Sequence, residues 1–290
     1  MDKRPPHILV SIFRGSRLVL HILYGMLLAV FYPHLGKYRQ SRILKAWSRQ
    51  ILDILNVGIR TDGQRPARGE GGCLLVANHV SWLDIFVLNA IYPSRFIAKA
   101  EVRDWPIIGW LCKRGNTIFI ERAIRQNTAS INQCIGALLK QGVCVGLFPE
   151  GTTTDGKQVG HFHSAFFQPA IDAGAILRPI ALRYQDETGE PGTAAVFTGD
   201  TTLVQSIWQI LRCRHLDASA VFATALVAAN WNRRMLARAA QEAIAQGLQY
   251  ITAMRKMPGR ETAPVTPQKL LPEQSVYAPL LLPLSNRQSR

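Results

Sequence analysis

The sequence predicts an α/β fold, a mixed, largely parallel sheet flanked by helices, preceded by an N-terminal hydrophobic helical segment that associates with membrane. Three observations lead there. Apolar runs of strand length alternate with stretches of helix length across residues 61–257. The first 60 residues hold an apolar run with basic residues on both flanks. At 290 residues and 48% apolar, the chain can bury one substantial core with appendages.

Taken in order, the first element is LVLHILYGMLLAVFY, residues 18–32, interrupted by His21. It is shorter than the roughly 20 residues a spanning helix wants. Lys3, Arg4, Arg14 and Arg17 precede it and Lys37, Arg39 and Arg42 follow, so the one-sided bias of a spanning segment is missing. A signal peptide would need a small-residue cleavage site, and VFYPHLG is a poor one. The expectation is a helix lying in the cytoplasmic-leaflet interface, with a true span and a core helix as alternatives. Pro33 and Gly36 end it. SRILKAWSRQILDILN follows as an amphipathic helix, with Ile43, Leu44, Trp47, Ile51 and Leu55 on one face.

TDGQRPARGEGG, residues 61–72, reads as a boundary. Beyond it the strand-like runs are CLLVA, RFIAKA, NTIFIE, VCVGLF, ILRPIALRY and AAVFTG. SWLDIFVLNAI and TASINQCIGALLKQG read as helices between them, and residues 231–257 as a basic amphipathic helix or helix pair. Residues 258–290 are proline-rich and expected to be disordered. The expected organisation is therefore a membrane-associated helical segment 1–60, an α/β domain 61–257 and a tail 258–290.

A net charge of +15 and a pI near 10.1 call for anionic partners. The basic residues cluster beside apolar segments and form no recognition module, which points to an anionic membrane leaflet and away from nucleic acid. Cys73, Cys112, Cys134, Cys144 and Cys213 are odd in number and contain no CxxC pair. That spacing fits neither a disulfide framework nor a zinc site, and suggests a reducing compartment. Cys73, Cys134 and Cys144 sit among apolar neighbours and read as small core residues.

Two strand exits carry the chemistry. NHVSWLD follows CLLVA, and FPEGTTTDG follows VCVGL. On one regular helix, residues five apart are turned by about 140° and would not meet. With His79 in the turn and Asp84 inside the helix, the carboxylate can reach back to one imidazole nitrogen and leave the other to take a proton. A histidine, with an ordinary pKa near 6.5, suits a general base. The plainer alternative is a capping box, since Ser81 and Asp84 have its spacing. In the second exit Glu150 can accept hydrogen bonds from substrate hydroxyls, Gly151 and Gly156 permit close approach, and Thr152, Thr153 and Thr154 supply hydroxyls. An ordinary turn is the alternative there. Between them GNTIFIER places Arg122 at a strand end, where it could hold a phosphate or merely be solvated. PIIGWL (106–111) could line an acyl channel, though core packing is its plainer role.

The order and spacing of these pieces resemble the glycerolipid acyltransferase family, whose bacterial prototype acylates 1-acyl-sn-glycerol 3-phosphate. NHVSWLD is similar to its NHxxxxD motif, which implies His79 as general base and Asp84 as its partner. GNTIFIER is similar to the second motif, which implies that Gly115 and Arg122 place the acceptor, with Lys99 of KAEVRDWPIIG as a further phosphate contact. FPEGTTTDG is similar to the third, with Glu150, Gly151, Thr152 and Thr153 at the acceptor, and RPIAL carries the fourth motif's proline as Pro179. The third motif often continues with an arginine that contacts the phosphate, where this chain has Thr153. Downstream, Phe162-His163 stands where many members have a lysine after the phenylalanine. A lost charge-assisted bond is worth about 1.5–3 kcal/mol. The resemblance implies lysophosphatidate as acceptor, with another lyso-lipid such as lyso-ornithine lipid as the alternative. It implies acyl carrier protein or acyl-CoA as donor, no metal, no cofactor beyond the acyl thioester co-substrate, and a peripheral or monotopic place on the cytoplasmic face of the inner membrane. The lack of GxSxG disfavours an acyl-enzyme route.

Overall fold

The computed structural model describes residues 6–67, 70–120 and 127–255. Eight strands form one sheet in the order β1-β7-β6-β2-β5-β3-β4, with short β8 pairing β6. The strands are β1 Val57–Gly63, β2 Cys73–Ala77, β3 Arg95–Lys99, β4 Ile118–Ile120, β5 Val145–Leu147, β6 Ile176–Asp186, β7 Leu216–Phe222 and β8 Leu226–Val227. Pairs β2–β5, β2–β6, β3–β5 and β3–β4 are parallel, and β7 runs antiparallel to β6 while pairing in parallel with β1. The strand CLLVA is buried at every position, as a central strand covered on both faces must be.

Helices cover both faces. α2 (Lys37–Leu55), α3 (Leu83–Ile91) and α7 (Leu203–Leu211) pack one core cluster, and α5 (Asn127–Lys140), α6 (Gln168–Asp172) and α8 (Arg233–Arg255) pack the other. α4 (Ile108–Arg114) joins β3 to β4. α1 (Ile8–Phe31) lies outside these layers and touches α2, α4 and α7. Its junction with α2 is close: a Cβ on Gly25 would come within 2.6 Å of the Trp47 indole. The opposite face of α1 is apolar and bare, with Leu20, Leu27 and Phe31 each at least 60% exposed.

Several expectations are corrected. The N-terminal helix has 24 residues and begins ten before the apolar run, and the 27-residue stretch Ile8–His34 that contains it is long and apolar enough to cross a membrane. β1 runs through the expected boundary at residue 60, and the C-terminal half of α2 is core. AAVFTG is not a strand: Thr193–Ala195 is a 3-10 turn, and the Phe197 backbone bonds Val80 and Thr153 instead of a ladder. Cys73 and Cys144 form a disulfide, because the Leu74–Val145 register sets them side by side across 71 residues of sequence. Cysteine spacing therefore gives no support to a reducing compartment. Cys134 is exposed on α5. The 258–290 tail lies outside the described residues.

Candidate active site

The parallel strands bring their C-terminal ends to one edge, where α/β sheets bind ligands. Asn78 leaves β2 with its amide paired to both the N–H and the carbonyl of Leu182, at 2.7 and 2.9 Å. β6 makes this possible by overhanging its neighbour: β2 ends at Ala77 opposite Ile180, and β6 continues to Asp186.

The next residue is His79. Its Nδ1 lies 2.7 Å from Asp84 Oδ2, which also accepts the N–H groups of Val80 at 2.7 Å and Ser81 at 3.0 Å. Asp84 is fully buried, and the His79 side chain keeps 19% exposure at the site mouth. Oδ2 already accepts two backbone N–H groups and accepts here too, so Nδ1 donates and Nε2 is left as the acceptor. The capping-box alternative is half realised. Asp84 reaches back to the preceding N–H groups, but Trp82 occupies the cap position and the Ser81 hydroxyl caps nothing.

A second contact completes the carboxylate. The Tyr184 hydroxyl donates to Asp84 Oδ1 at 2.7 Å from the overhanging part of β6. Burial, then the Asp84 charge, holds the Tyr184 phenol well above its usual range, so it stays a donor. Sequence reasoning missed it. The available signal was its place in step with Ile180 and Leu182 on a core-facing register, where a tyrosine hydroxyl needs a partner.

The imidazole is held flat against Phe148, with ring centroids 4.1 Å apart and planes 9° apart. Phe148 stacks in turn on Phe96 at 5.6 Å. Phe96 can lie there because Gly146 has no side chain; a Cβ would come within 2.3 Å of its ring.

Glu150 faces the backbone. Its Oε1 accepts the His79 N–H and its Oε2 the Gly160 N–H, both at 2.9 Å. Burial pushes its carboxyl above the usual range against those two bonds, which pull it down. Through these two bonds Glu150 ties the two motif loops together. Thr154 adds to this, its N–H donating to the His79 carbonyl at 2.8 Å. Gly151 turns the chain at φ +70° and Thr152 is exposed beside it. Thr153 Oγ1 donates to the Phe197 carbonyl, and the Phe197 N–H donates to the Val80 carbonyl at 3.1 Å. The segment expected to be a strand thus crosses both motif loops.

Lys99 ends β3 at the same sheet edge and is exposed. Gly115 is elsewhere: it closes α4 and precedes β4, whose Ile118 pairs with Ile97, so it sits at the entry end of that strand. Arg122 lies outside the described residues. In PIIGWL, Ile107 is 45% exposed and Ile108, Trp110 and Leu111 are half-buried around a buried Gly109, so the stretch is not the core element expected of it. His163, exposed, donates its N–H to the Pro149 carbonyl at 3.0 Å, beside the third motif.

The arrangement can take a proton at His79 Nε2 and stabilise the resulting imidazolium. A family model described as Acyltransferase matches residues 58–183. A 1-acyl-sn-glycerol-3-phosphate acyltransferase of Neisseria meningitidis serogroup B is 40% identical over 61% of this chain and 69% of its own. A lyso-ornithine lipid O-acyltransferase of Pseudomonas aeruginosa is 35% identical over 71% of this chain and 78% of its own. The crystal structure of the 1-acyl-sn-glycerophosphate acyltransferase of Thermotoga maritima superposes with a TM-score of 0.60 at 20% identity, covering 83% of this chain and 98% of that one.

Proposed function

The chain belongs to the acyltransferase family, and we propose that it moves a fatty acyl group from an acyl thioester to the free hydroxyl of a membrane lyso-lipid. The observation that carries this reading is the 2.7 Å contact of His79 with a fully buried Asp84. His79 Nε2 takes the hydroxyl proton as the oxygen attacks the thioester carbonyl. The C–O bond forms, the tetrahedral intermediate expels the thiolate as the C–S bond breaks, and the imidazolium returns the proton to sulfur. Asp84 keeps the tautomer and supports the charge. Acyl carrier protein or acyl-CoA serves as donor.

Lysophosphatidate is the acceptor we favour, supported by the basic chain and by the 40% identical relative that bears that activity in its name. Lyso-ornithine lipid is the second reading. Thr153, which stands where an arginine is common, spends its hydroxyl on the Phe197 carbonyl, and a 35% identical relative is named for that acceptor. Lys99 and Arg122 are the cations proposed for a phosphate.

We place the enzyme on the cytoplasmic leaflet of the inner membrane as a monotopic protein. Ser11 and Arg14 of α1 bond the carbonyls of Leu211 and Cys213, and His21 Nε2 meets the Trp47 carbonyl at 3.1 Å. A helix tied along its flank to α2, which carries Lys37, Arg39, Arg42, Lys45 and Arg49, would drag those charges into hydrocarbon if it crossed the bilayer.

Purified protein assayed with lyso-lipid acceptors and both donor types tests the reading. His79→Ala should lower turnover by about 10²–10⁴-fold with the fold intact. Near-normal turnover in that variant would end the general-base mechanism.

A further inference from the structure

α7, LVQSIWQIL, contains no charged residue in nine. Its inner face is already satisfied by burial of Ser206, Ile210 and Leu211, yet its outer face carries Val204 at 76% exposure and Trp208 at 44%. Gln205 and Gln209 are exposed beside them, so the outer face pairs two large apolar side chains with uncharged polar ones, and a half-exposed tryptophan suits the boundary of headgroups and acyl chains.

The patch does not stand alone. The N-terminal half of α1 packs on the end of α7, through the Ser11 hydroxyl on the Leu211 carbonyl at 3.1 Å and Arg14 on the Cys213 carbonyl at 2.9 Å. The outward face of α1 there carries Leu9, Ile12 and Phe13, each more than half exposed. Arg212 and Arg214 follow α7 directly, so positive charge borders the apolar patch. On its other side α7 meets the first motif, where the Trp82 indole donates to the Ser206 hydroxyl at 3.0 Å.

We propose that the outer face of α7, through Val204 and Trp208, is a second lipid-contacting surface, continuous with α1, that docks on an anionic bilayer leaflet. The occupant is the leaflet because the patch continues the apolar face of α1 and is bordered by cations that complement anionic headgroups. Docking there turns the loop carrying His79 toward the membrane, so that an acceptor reaches the site from the leaflet. Only this last consequence rests on the function proposed above.

The test uses the full chain carrying Val204→Gln and Trp208→Gln together, with thermal melting to show that the fold is kept. Flotation with vesicles of phosphatidylcholine and phosphatidylglycerol reads docking without any turnover. Activity is then compared on a long-chain acceptor in vesicles and on a short-chain acceptor in free solution. We expect vesicle affinity to fall about tenfold, a change of ~1.4 kcal/mol, with kcat/KM reduced on the vesicle acceptor and unchanged on the soluble one. Unaltered flotation of a folded variant would overturn the proposal. So would an equal loss on both acceptors, which would mean that α7 acts through Trp82, or a dimer that the substitutions split, which would make the occupant a second copy. Wild type inactive on every lyso-lipid, with flotation still weakened by the substitutions, would leave the docking surface standing and sink the function.

Discussion

At Asp84 four donors converge on two oxygens: His79, Val80 and Ser81 on Oδ2, and Tyr184 on Oδ1. Tyr184→Phe removes one donor without changing volume. With the tyrosine gone the carboxylate is less well solvated and holds an imidazolium more firmly. The charged groups facing His79 among the described residues are Asp84 from α3 and Glu150 after β5, and Tyr184 from β6 acts through Asp84. The rate–pH profile should therefore move its acid limb to higher pH, with kcat at neutral pH down several-fold and KM unchanged. A lower rate with no shift of the profile would reduce Tyr184 to packing. Glu150 gives a second discriminating variant. If it holds backbone, Glu150→Gln lowers kcat and leaves KM, because an amide cannot accept two N–H groups through two oxygens; if it contacts acceptor, KM rises. Burial raises its carboxyl pKa, so folding takes up a proton there. That contribution to stability is present at low pH and is lost as pH rises through the raised value. The Tm of Glu150→Gln should accordingly lose less than that of wild type on going from weakly acid to neutral pH. His79 and Asp84 were legible because their spacing is local. Tyr184 was not, lying 100 residues from its partner with only the fold to join them.

Among elements, the crossing segment around Phe197 shows where sequence reading ran out. Apolar AAVFTG looks like a strand, but both polar groups of the Phe197 backbone are taken by the motif loops, and Gly199 sits at φ +63°. β7, LDASAVF, was missed for the opposite reason: its aspartate, serine and alanines dilute the β-branched signal, although it is almost wholly buried. β1 was hidden because its last three residues, TDG, open a turn-like stretch. The central strands were plain to see, β2 as a continuous apolar run and β6 through the apolar residues on either side of Arg178-Pro179. The crossing also changes what Thr153→Arg should do. From sequence alone the substitution supplies a missing cation to a phosphate acceptor, worth about 1.5–3 kcal/mol. In the fold it also strips the half-buried Phe197 carbonyl of its donor, which costs about 1–3 kcal/mol. The first would appear in acceptor affinity and the second in stability, and the lost contact also frees the loop that would have to aim the new guanidinium. A competition assay between lysophosphatidate and a phosphate-free lyso-lipid should then show less than the full gain for the variant, together with a lowered Tm. A tenfold gain on lysophosphatidate at unchanged Tm would show that the Phe197 contact is dispensable.

Across the whole molecule, the question is which N-terminal residues the body can lose. Read from sequence, residues 1–60 are a detachable membrane segment whose removal makes the chain more soluble. The packing divides that stretch in two. α2 buries Ile51, Leu52, Ile54 and Leu55 to 5% exposure or less, in the same cluster as α3, α7 and the sheet. Each such side chain contributes about 1.5–3 kcal/mol by burial, and four together rival the roughly 5–15 kcal/mol by which a domain is stable. Cutting at residue 60 also severs β1, the edge strand whose seven residues all pair with β7. α1 is different in kind: two of its 24 residues, Leu18 and Ala29, are buried apolar side chains, and its outward face meets no protein. Removing residues 1–35 should leave a cooperative thermal transition and activity on a soluble short-chain acceptor. It should lower vesicle binding and activity on a vesicle-borne acceptor, with the α7 face still giving weak attachment. Removing residues 1–60 should abolish the cooperative transition. If the shorter deletion also melted without cooperativity, α1 would be a structural element of the body, and its bare apolar face would have to be explained by more than lipid.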